Sequence, residues 1–129
     1  FANETDRQWL EQLTHPLIGQ EILDQLSNSK STYTVLSSPL LLETSQGDLA
    51  DYTLVVDVPS ELQLLRTMQR DNNDEAQVKR IMAAQLPREK RLERADIVID
   101  NSRTLGELDT IIAELHAKFL QQSAQRRRQ

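Results

Sequence analysis

The sequence predicts an α/β fold in which helices are layered on a parallel sheet. Short apolar runs alternate along the 129 residues with longer segments whose apolar residues recur every three or four positions, the spacing of amphipathic helices. Residues 54–56 are continuously apolar, which is typical of a strand buried on both faces of a parallel sheet. Alternating strand and helix signals of this kind favour parallel strands joined by helices.

The first 30 residues are predicted to be helical. Thr5, with Gln8 three positions later, forms a candidate capping box for a first helix, which Pro16 is expected to interrupt. A second helix is expected from about Pro16 to Leu26, with the proline in its first turn. The polar segment SNSKS is then predicted to be a loop.

Three strands and four further helices are predicted after this region. The strands are expected at 33–37, 52–57 and 95–100, the first ending before Pro39. The predicted helix starts are Ser60 with Gln63 as its capping partner, Asp74, Arg88, and Thr104 with Glu107 as its capping partner. The helix from Asp74 is expected to end by Pro87, and the short basic one to cover about Arg88 to Arg94.

Composition narrows the classes of protein. No apolar run approaches the roughly 18–20 residues of a membrane span, and the polar, acidic start differs from a secretory leader. The chain contains no cysteine, which fits a reducing compartment. We therefore expect a cytoplasmic protein with no membrane partner.

Charge is unevenly distributed along this acidic chain, whose net charge is -5. Residues 66–94 carry eight basic and five acidic residues, a local excess of three positive charges. A basic island of this size favours a small anionic ligand over nucleic acid, which calls for a broad basic face. A solvated helix surface is the alternative interpretation of the same charges.

Several motifs have both a chemical and a plain structural interpretation. The segment NSKST lacks the glycines of a phosphate-binding loop, and His15 and His116 have no neighbouring ligand residues that would indicate a metal site. Asp57 and Glu43 each end an apolar run, where open α/β sheets bind ligands, although a turn or a solvated loop explains them equally well.

Three arginines suit a polyphosphate ligand. Arg66 and Arg70 lie four residues apart and are expected to project from one helix face, while Arg88 lies beyond the next helix. Guanidinium groups bind phosphate through paired hydrogen bonds and permanent charge.

Five blocks in order resemble the dephospho-coenzyme A kinase family: HPLI, PLLLE, LVVDVPSELQLLRTMQRD, AAQLPREKRLERADIVIDN and the closing amphipathic helix. The resemblance covers residues 1 to about 120. It implies a P-loop kinase-like fold and transfer of the ATP γ-phosphate to the 3′-hydroxyl of dephospho-coenzyme A, the last step of coenzyme A synthesis. The implied parts are a helical substrate domain (1–30), the core (31–70 and 95–122) and a helical lid (71–94), followed by a disordered tail (123–129).

The resemblance also implies site residues. Arg70, Arg88 and Asn101 match family positions and are expected to bind the nucleotide, together with Arg66, which is included for its spacing from Arg70. His15, Pro39, Leu40, Leu41 and Glu43 are expected to face dephospho-coenzyme A. Lys90, Arg91 and Arg94 are expected to remain surface charge. ATP is the implied phosphate donor, with Mg²⁺ held mainly by its phosphates and by the family's phosphate loop. Arg103 stands where many relatives have glycine, which leaves the turn after Asn101 less certain.

The phosphate loop and its strand have no counterpart in this sequence. We therefore expect an incomplete sheet, no catalytic residue within the chain and no catalysis by the chain alone. The unpaired strand edges are expected to be covered by a further part of a larger protein or by self-association. The alternatives are a non-catalytic nucleotide- or coenzyme A-binding fragment and another P-loop nucleoside or nucleotide kinase.

Overall fold

The computed structural model describes residues 3–127. Along the chain, the helices and strands are α1 (Glu4–Asn28), β1 (Leu54–Asp57), α2 (Ser60–Asp71), α3 (Glu75–Ala84), α4 (Arg88–Glu93), β2 (Ile97–Asp100) and α5 (Leu105–Arg127). A short 3₁₀ helix, which the sequence analysis did not predict, covers Ser45–Leu49 before β1.

A parallel two-stranded sheet organises the second half of the chain. β1 and β2 pair in register from Leu54 opposite Ile97 to Asp57 opposite Asp100, and α2, α3 and α4 lie between them in the sequence. The predicted α/β class with a parallel sheet is confirmed.

Helix α1 is continuous, so the predicted interruption at Pro16 is wrong. Proline removes one backbone donor and usually bends a helix, but the residues on both sides of Pro16 remain helical over 25 residues. The predicted cap at Thr5 is also wrong. Asn3 caps the helix, because its side-chain oxygen accepts hydrogen bonds from the backbone N–H groups of Thr5 (2.9 Å) and Asp6 (3.2 Å).

The predicted strand at 33–37 is not formed. Among residues 3–127 only β1 and β2 pair, and a strand needs a hydrogen-bonded neighbour. A cavity of about 1190 Å³ is lined by residues 32–39 on one side and by residues 49–56, including β1, on another. The 33–37 segment therefore lies without a ladder partner across an open space from the sheet.

Helix α5 contacts both walls of this cavity. The Tyr33 hydroxyl lies 2.6 Å from Nδ1 of His116, and the Tyr33 and Phe119 rings are 5.3 Å apart. The Ser123 hydroxyl donates to the Thr32 carbonyl at 2.7 Å. On the β1 side, Arg126 forms an ion pair with Asp51.

The same helix corrects the expectation of a disordered tail at 123–129. α5 continues through Arg127, and Ser123 and Arg126 contact the cavity walls, so these residues are ordered by tertiary contacts. The last two residues of that predicted tail lie outside the described part of the chain.

Most other helix signals are confirmed. Asp74 caps α3 by accepting from the Gln77 N–H at 2.8 Å, and α4 forms at the predicted basic segment. Thr104 and Glu107 form the predicted reciprocal capping box, at 3.3 and 3.2 Å. Ser60 is the first residue of α2 rather than its cap, because Pro59 occupies the cap position without a side-chain hydrogen bond.

The described chain leaves much apolar surface open. Val78 and Ile99 are the only apolar side chains in the buried class among residues 3–127. The accessible surface is 10047 Å², whereas a folded monomer of 14.8 kDa is expected to expose roughly 7000 Å². Large apolar side chains such as Trp9, Leu17 and Leu105 are largely exposed. The surplus surface is consistent with a sheet that lacks a neighbour.

Val78 is expected to secure α3, because it is the only fully buried side chain in the described region. In full-length protein containing this chain, Val78→Ala should lower the free energy of unfolding by about 2 kcal/mol, the loss of two buried carbons plus a residual cavity. Denaturant titration measures this. Ile81→Ala, on the same helix at 46 % exposure, is the control, and equal losses in the two variants would contradict the packing described.

Candidate functional site

The carboxyl ends of the two parallel strands form one edge. Asp57 and Asp100 are register partners at the ends of β1 and β2, and the Asn101 N–H donates to the Asp57 carbonyl at 2.8 Å. Ligands of open α/β sheets bind beyond this end of the strands. Any functional group delivered here by α2 or α4 therefore lies beside the expected ligand position.

Arg88 reaches this edge from the first turn of α4. Its Nε donates to Oδ1 of Asp57 at 2.9 Å and its Nη2 to Oδ2 at 2.8 Å, a two-bond fork. The Asp57 side chain is 14 % exposed and that of Arg88 is 37 % exposed. Sequence spacing does not reveal this pair, since 31 residues separate its members.

The fork explains the acidity of Asp57. The hydrogen bonds from Arg88 are the main cause that holds the pKa of Asp57 below its usual value of 3.8, and the charges of Arg88 and Arg91 act in the same direction. Partial desolvation and the nearby Asp100 oppose this shift of the pKa. The same fork raises the pKa of Arg88.

The second acid of the edge has a different role. Asp100 accepts hydrogen bonds from the hydroxyl and backbone N–H of Ser102, which lower the pKa of Asp100. This carboxylate closes the turn after β2, and Arg103 lies 3.8 Å from it. Arg103, where a glycine was expected from the family pattern, is therefore accommodated beside an acid.

Arg66 contacts the same edge from α2. Its Nη1 donates to the Asn101 carbonyl at 2.8 Å. Asn101 is thus held through both backbone groups, by Asp57 on one side and Arg66 on the other. Arg66, Arg88 and Asn101, three of the four predicted nucleotide-binding residues, lie together around Asp57.

Arg70 does not join this group through a hydrogen bond. Its Nε and Nη2 donate to the carboxylate of Asp71 at 2.7 and 2.9 Å, and its side chain is 74 % exposed. Arg66 and Arg70, expected to project from one helix face, therefore have different partners in the described structure, the Asn101 carbonyl and the adjacent Asp71.

The other two basic residues of α4 have different environments. Lys90 is exposed and pairs with Glu93, as expected of surface charge. Arg91 instead lines the cavity beside β1, and its Nε is shielded from solvent without a hydrogen-bond partner. Arg91, expected to remain surface charge, lies three residues after Arg88, about one helix turn away.

The predicted acceptor-side block forms hydrogen bonds with residues on both sides of α4. Oε1 of Glu43 accepts a hydrogen bond from the Leu86 N–H at 3.1 Å, and the Leu42 carbonyl accepts from Nη1 of Arg94 at 2.6 Å. Arg94, expected to be simple surface charge, is therefore a structural contact.

The remaining acceptor-side residues are spread over two parts of the chain. Pro39, Leu41 and Glu43 line the cavity, and Leu40 is partly exposed. His15 lies exposed on α1. Within residues 3–127 no hydrogen bond joins His15 to the 39–43 block, so the structure does not assemble the two.

Residues 3–127 contain neither a metal-binding cluster nor a membrane-spanning helix. No group of three or more His, Asp or Glu side chains there is arranged to hold a metal ion. No helix in the same region is both long and apolar enough to cross a membrane.

The fold and the site define a class of protein. This chain is a parallel α/β protein. At the carboxyl ends of its two strands, guanidinium groups lie around one shielded carboxylate, an arrangement suited to an anionic ligand.

Comparison with known proteins identifies the family. The sequence profile of the family described as "Dephospho-CoA kinase" matches residues 1–107. The chain is 48% identical over 122 residues to a dephospho-CoA kinase of Coxiella burnetii, covering 94% of this chain and 61% of that protein. It is 46% identical over 125 residues to the Escherichia coli enzyme (97% and 61%) and 43% identical over 120 residues to that of Idiomarina loihiensis (93% and 59%).

The chain belongs to the dephospho-CoA kinase family. The predicted family is thereby confirmed. The chain spans about three fifths of the length of the curated relatives it matches.

The Asp57–Arg88 pair is expected to make stability depend on pH. Because the folded pKa of Asp57 lies below 3.8, the stabilisation is fully present above that unfolded value and is lost as pH falls through the folded pKa. Asp57→Asn should therefore lower the free energy of unfolding near neutral pH, and its difference from wild type should shrink in acid. Urea titrations across a pH series of the full-length protein measure this difference.

Glu75→Gln is the matched control for this pH series. Glu75 pairs with Lys79 on the exposed face of α3, so screening by water leaves little stabilisation to lose. A difference between Asp57→Asn and wild type that stays constant through the acid range would contradict the assignment.

Proposed function

We propose that this chain is a portion of a kinase that transfers the γ-phosphate of ATP to the 3′-hydroxyl of dephospho-coenzyme A. Family membership over most of the chain supports the reaction class. The structural observation that carries the proposal is the gathering of Arg66, Arg88 and Asn101 at the carboxyl ends of β1 and β2. Phosphoryl transfer depends on positioning and on neutralising phosphate charge, which guanidinium groups at a sheet edge are suited to do.

In this proposal Arg88 is the phosphate-facing group of the lid, residues 71–94. The fork to Asp57 uses the Nε edge of its guanidinium and leaves Nη1 for a ligand. Asn101 lies beside the nucleotide, with Arg66 securing its backbone. Arg70 pairs with Asp71 through the same Nε and Nη2 edge, and is proposed to meet the ligand through its remaining Nη1 edge.

The acceptor, dephospho-coenzyme A, is proposed to bind near the 39–43 block. Supporting this, the Leu40 side chain of this block is exposed and accessible to a ligand. The bonds from Leu86 to Glu43 and from Arg94 to Leu42 join the block to both ends of the segment that carries Arg88. His15 is proposed to approach the acceptor from α1, the helical substrate part at 1–30.

The cavity between the 33–37 segment and β1 is proposed to receive a further strand, which is the expected place of the phosphate-loop strand. Support comes from its volume of about 1190 Å³, from the unpaired backbone on both walls and from the surplus accessible surface. A second copy of this chain is the alternative occupant, which corresponds to self-association through the same edges.

Mg²⁺ is proposed to be carried by the phosphates of ATP. The described residues contain no carboxylate or imidazole cluster that fits a metal ion, and the shielded carboxylate of Asp57 is already occupied by Arg88. A cytoplasmic location belongs to the same proposal, supported by the complete lack of cysteine.

Arg88→Ala is expected to impair the full-length enzyme more than it impairs folding. The kcat/KM for ATP should fall by roughly 100-fold or more, the scale of losing a charged group that faces the transferred phosphate. A coupled assay of ADP release with dephospho-coenzyme A measures the loss, and thermal melting monitors folding.

Two neighbours on α4 test the choice of arginine. Lys90→Ala removes an exposed charge that pairs with Glu93 and should leave kcat/KM close to wild type. A loss in Arg91→Ala equal to that in Arg88→Ala would show that the phosphate-facing residue was wrongly chosen, since Arg91 lines the cavity beside β1.

The 129-residue chain alone is expected to show no kinase activity. Its described residues supply basic groups on one side of the proposed ligand but no phosphate-cradling loop, and phosphoryl transfer fails without that positioning. ATP-dependent phosphorylation of dephospho-coenzyme A by the purified chain would refute this expectation. Activity of the full-length protein on nucleoside monophosphates instead would refute the proposed acceptor.

A further inference from the structure

We propose that Asp57 is a positioning residue, which orients the Arg88 guanidinium so that its free N–H edge meets the polyphosphate. The inference rests on the proposed function. Its basis is the placement of a shielded carboxylate at the end of β1 against one edge of Arg88, which is on a different element and 31 residues away.

The geometry leaves Arg88 available for a second anion. A guanidinium has five N–H donors, and Asp57 accepts from Nε and from one hydrogen of Nη2. Both hydrogens of Nη1 and the second hydrogen of Nη2 point to other edges, and among residues 3–127 none of them has a recorded acceptor. The Arg88 side chain is 37 % exposed, so these donors are accessible from solvent. A phosphate can therefore form its own fork with Arg88 while Asp57 keeps its place.

Asp57 is itself well fixed. It is the last residue of β1, paired in register with β2, and its carbonyl accepts from the Asn101 N–H at 2.8 Å. Asn101 in turn accepts from Arg66 at 2.8 Å. The side chain and the backbone of one residue thus join Arg88, Asn101 and Arg66 into one hydrogen-bonded chain. Arg88 sits on the short helix α4, whereas its anchor belongs to the sheet.

A fixed guanidinium binds phosphate at a lower entropic cost. A free arginine side chain loses its rotamer freedom when it closes on a ligand, and an arginine already held by a carboxylate has lost most of that freedom before the ligand arrives. The opposite role for Asp57 is that of a competitor, in which its carboxylate and the phosphate compete for Arg88. The free Nη1 edge favours positioning, because binding there does not require the fork to break.

The test is a double-mutant cycle in the full-length protein. Asp57→Asn keeps the size of the side chain and removes its charge, and should lower kcat/KM for ATP about 10- to 100-fold, the scale of losing a hydrogen bond between charged groups. In the Arg88→Ala background, the same substitution should cause no further loss, because Asp57 acts through Arg88. KM for dephospho-coenzyme A should be unchanged. Glu75→Gln, the exposed lid acid, is the control and should retain wild-type kinetics.

Each other outcome overturns the inference. Equal losses with and without Arg88 would show that Asp57 supports the fold rather than the arginine. Tighter ATP binding by Asp57→Asn, measured by calorimetry, would show that the Asp57 carboxylate competes with phosphate for Arg88. If Asp57→Asn does not fold, Asp57→Glu, which retains the charge one methylene further out, is used in the same cycle and must again lose its effect in the Arg88→Ala background.

Failure of the proposed function gives a separate result. In that case the wild-type full-length protein does not phosphorylate dephospho-coenzyme A. Calorimetric titration with inorganic tripolyphosphate then tests Asp57 without the reaction. Weaker binding in Asp57→Asn that disappears in the Arg88→Ala background supports the inference, and additive weakening contradicts it.

Discussion

The parallel pairing of β1 with β2 is the constraint on which the site depends. Four register pairs place Asp57 beside Asp100, so that the chain leaving each strand does so at the same edge. α2 and α4 then deliver Arg66 and Arg88 to that edge from different parts of the sequence. Because parallel strands require a long crossover, the helices that carry the basic island are the same ones that connect the two strands.

β1 also borders the large cavity. Residues 54–56 of β1 line this cavity, and the 33–37 segment, which lines it too, contacts α5 through Tyr33 rather than pairing in a ladder. Tyr33, His116 and Phe119 keep that wall in place, while Arg126 holds Asp51 before β1. The C-terminal helix therefore contacts residues on both sides of the cavity.

Contacts between the 39–43 block and the base of α4 link the two proposed ligand regions. Glu43 and Leu42 accept hydrogen bonds from residues on either side of Arg88, at Leu86 and Arg94. Glu43, expected to face the acceptor, thus has a structural partner, and its carboxylate orders the backbone before the helix.

The sequence by itself determined the family, the α/β class and those features that depend on neighbouring residues. The caps at Asp74 and Thr104 and the basic helix follow from side chains within a few positions of one another. The strand at 33–37 could not be judged in this way, because strand formation depends on a partner elsewhere in the chain. Only the tertiary structure decided which arginine meets which acid: Arg70 is held by adjacent Asp71, while Arg88 is held by Asp57, 31 residues away. Ion pairs between distant elements depend on how the strands and helices pack in space. The spacing of two residues in the sequence does not determine the distance between their side chains in such a case.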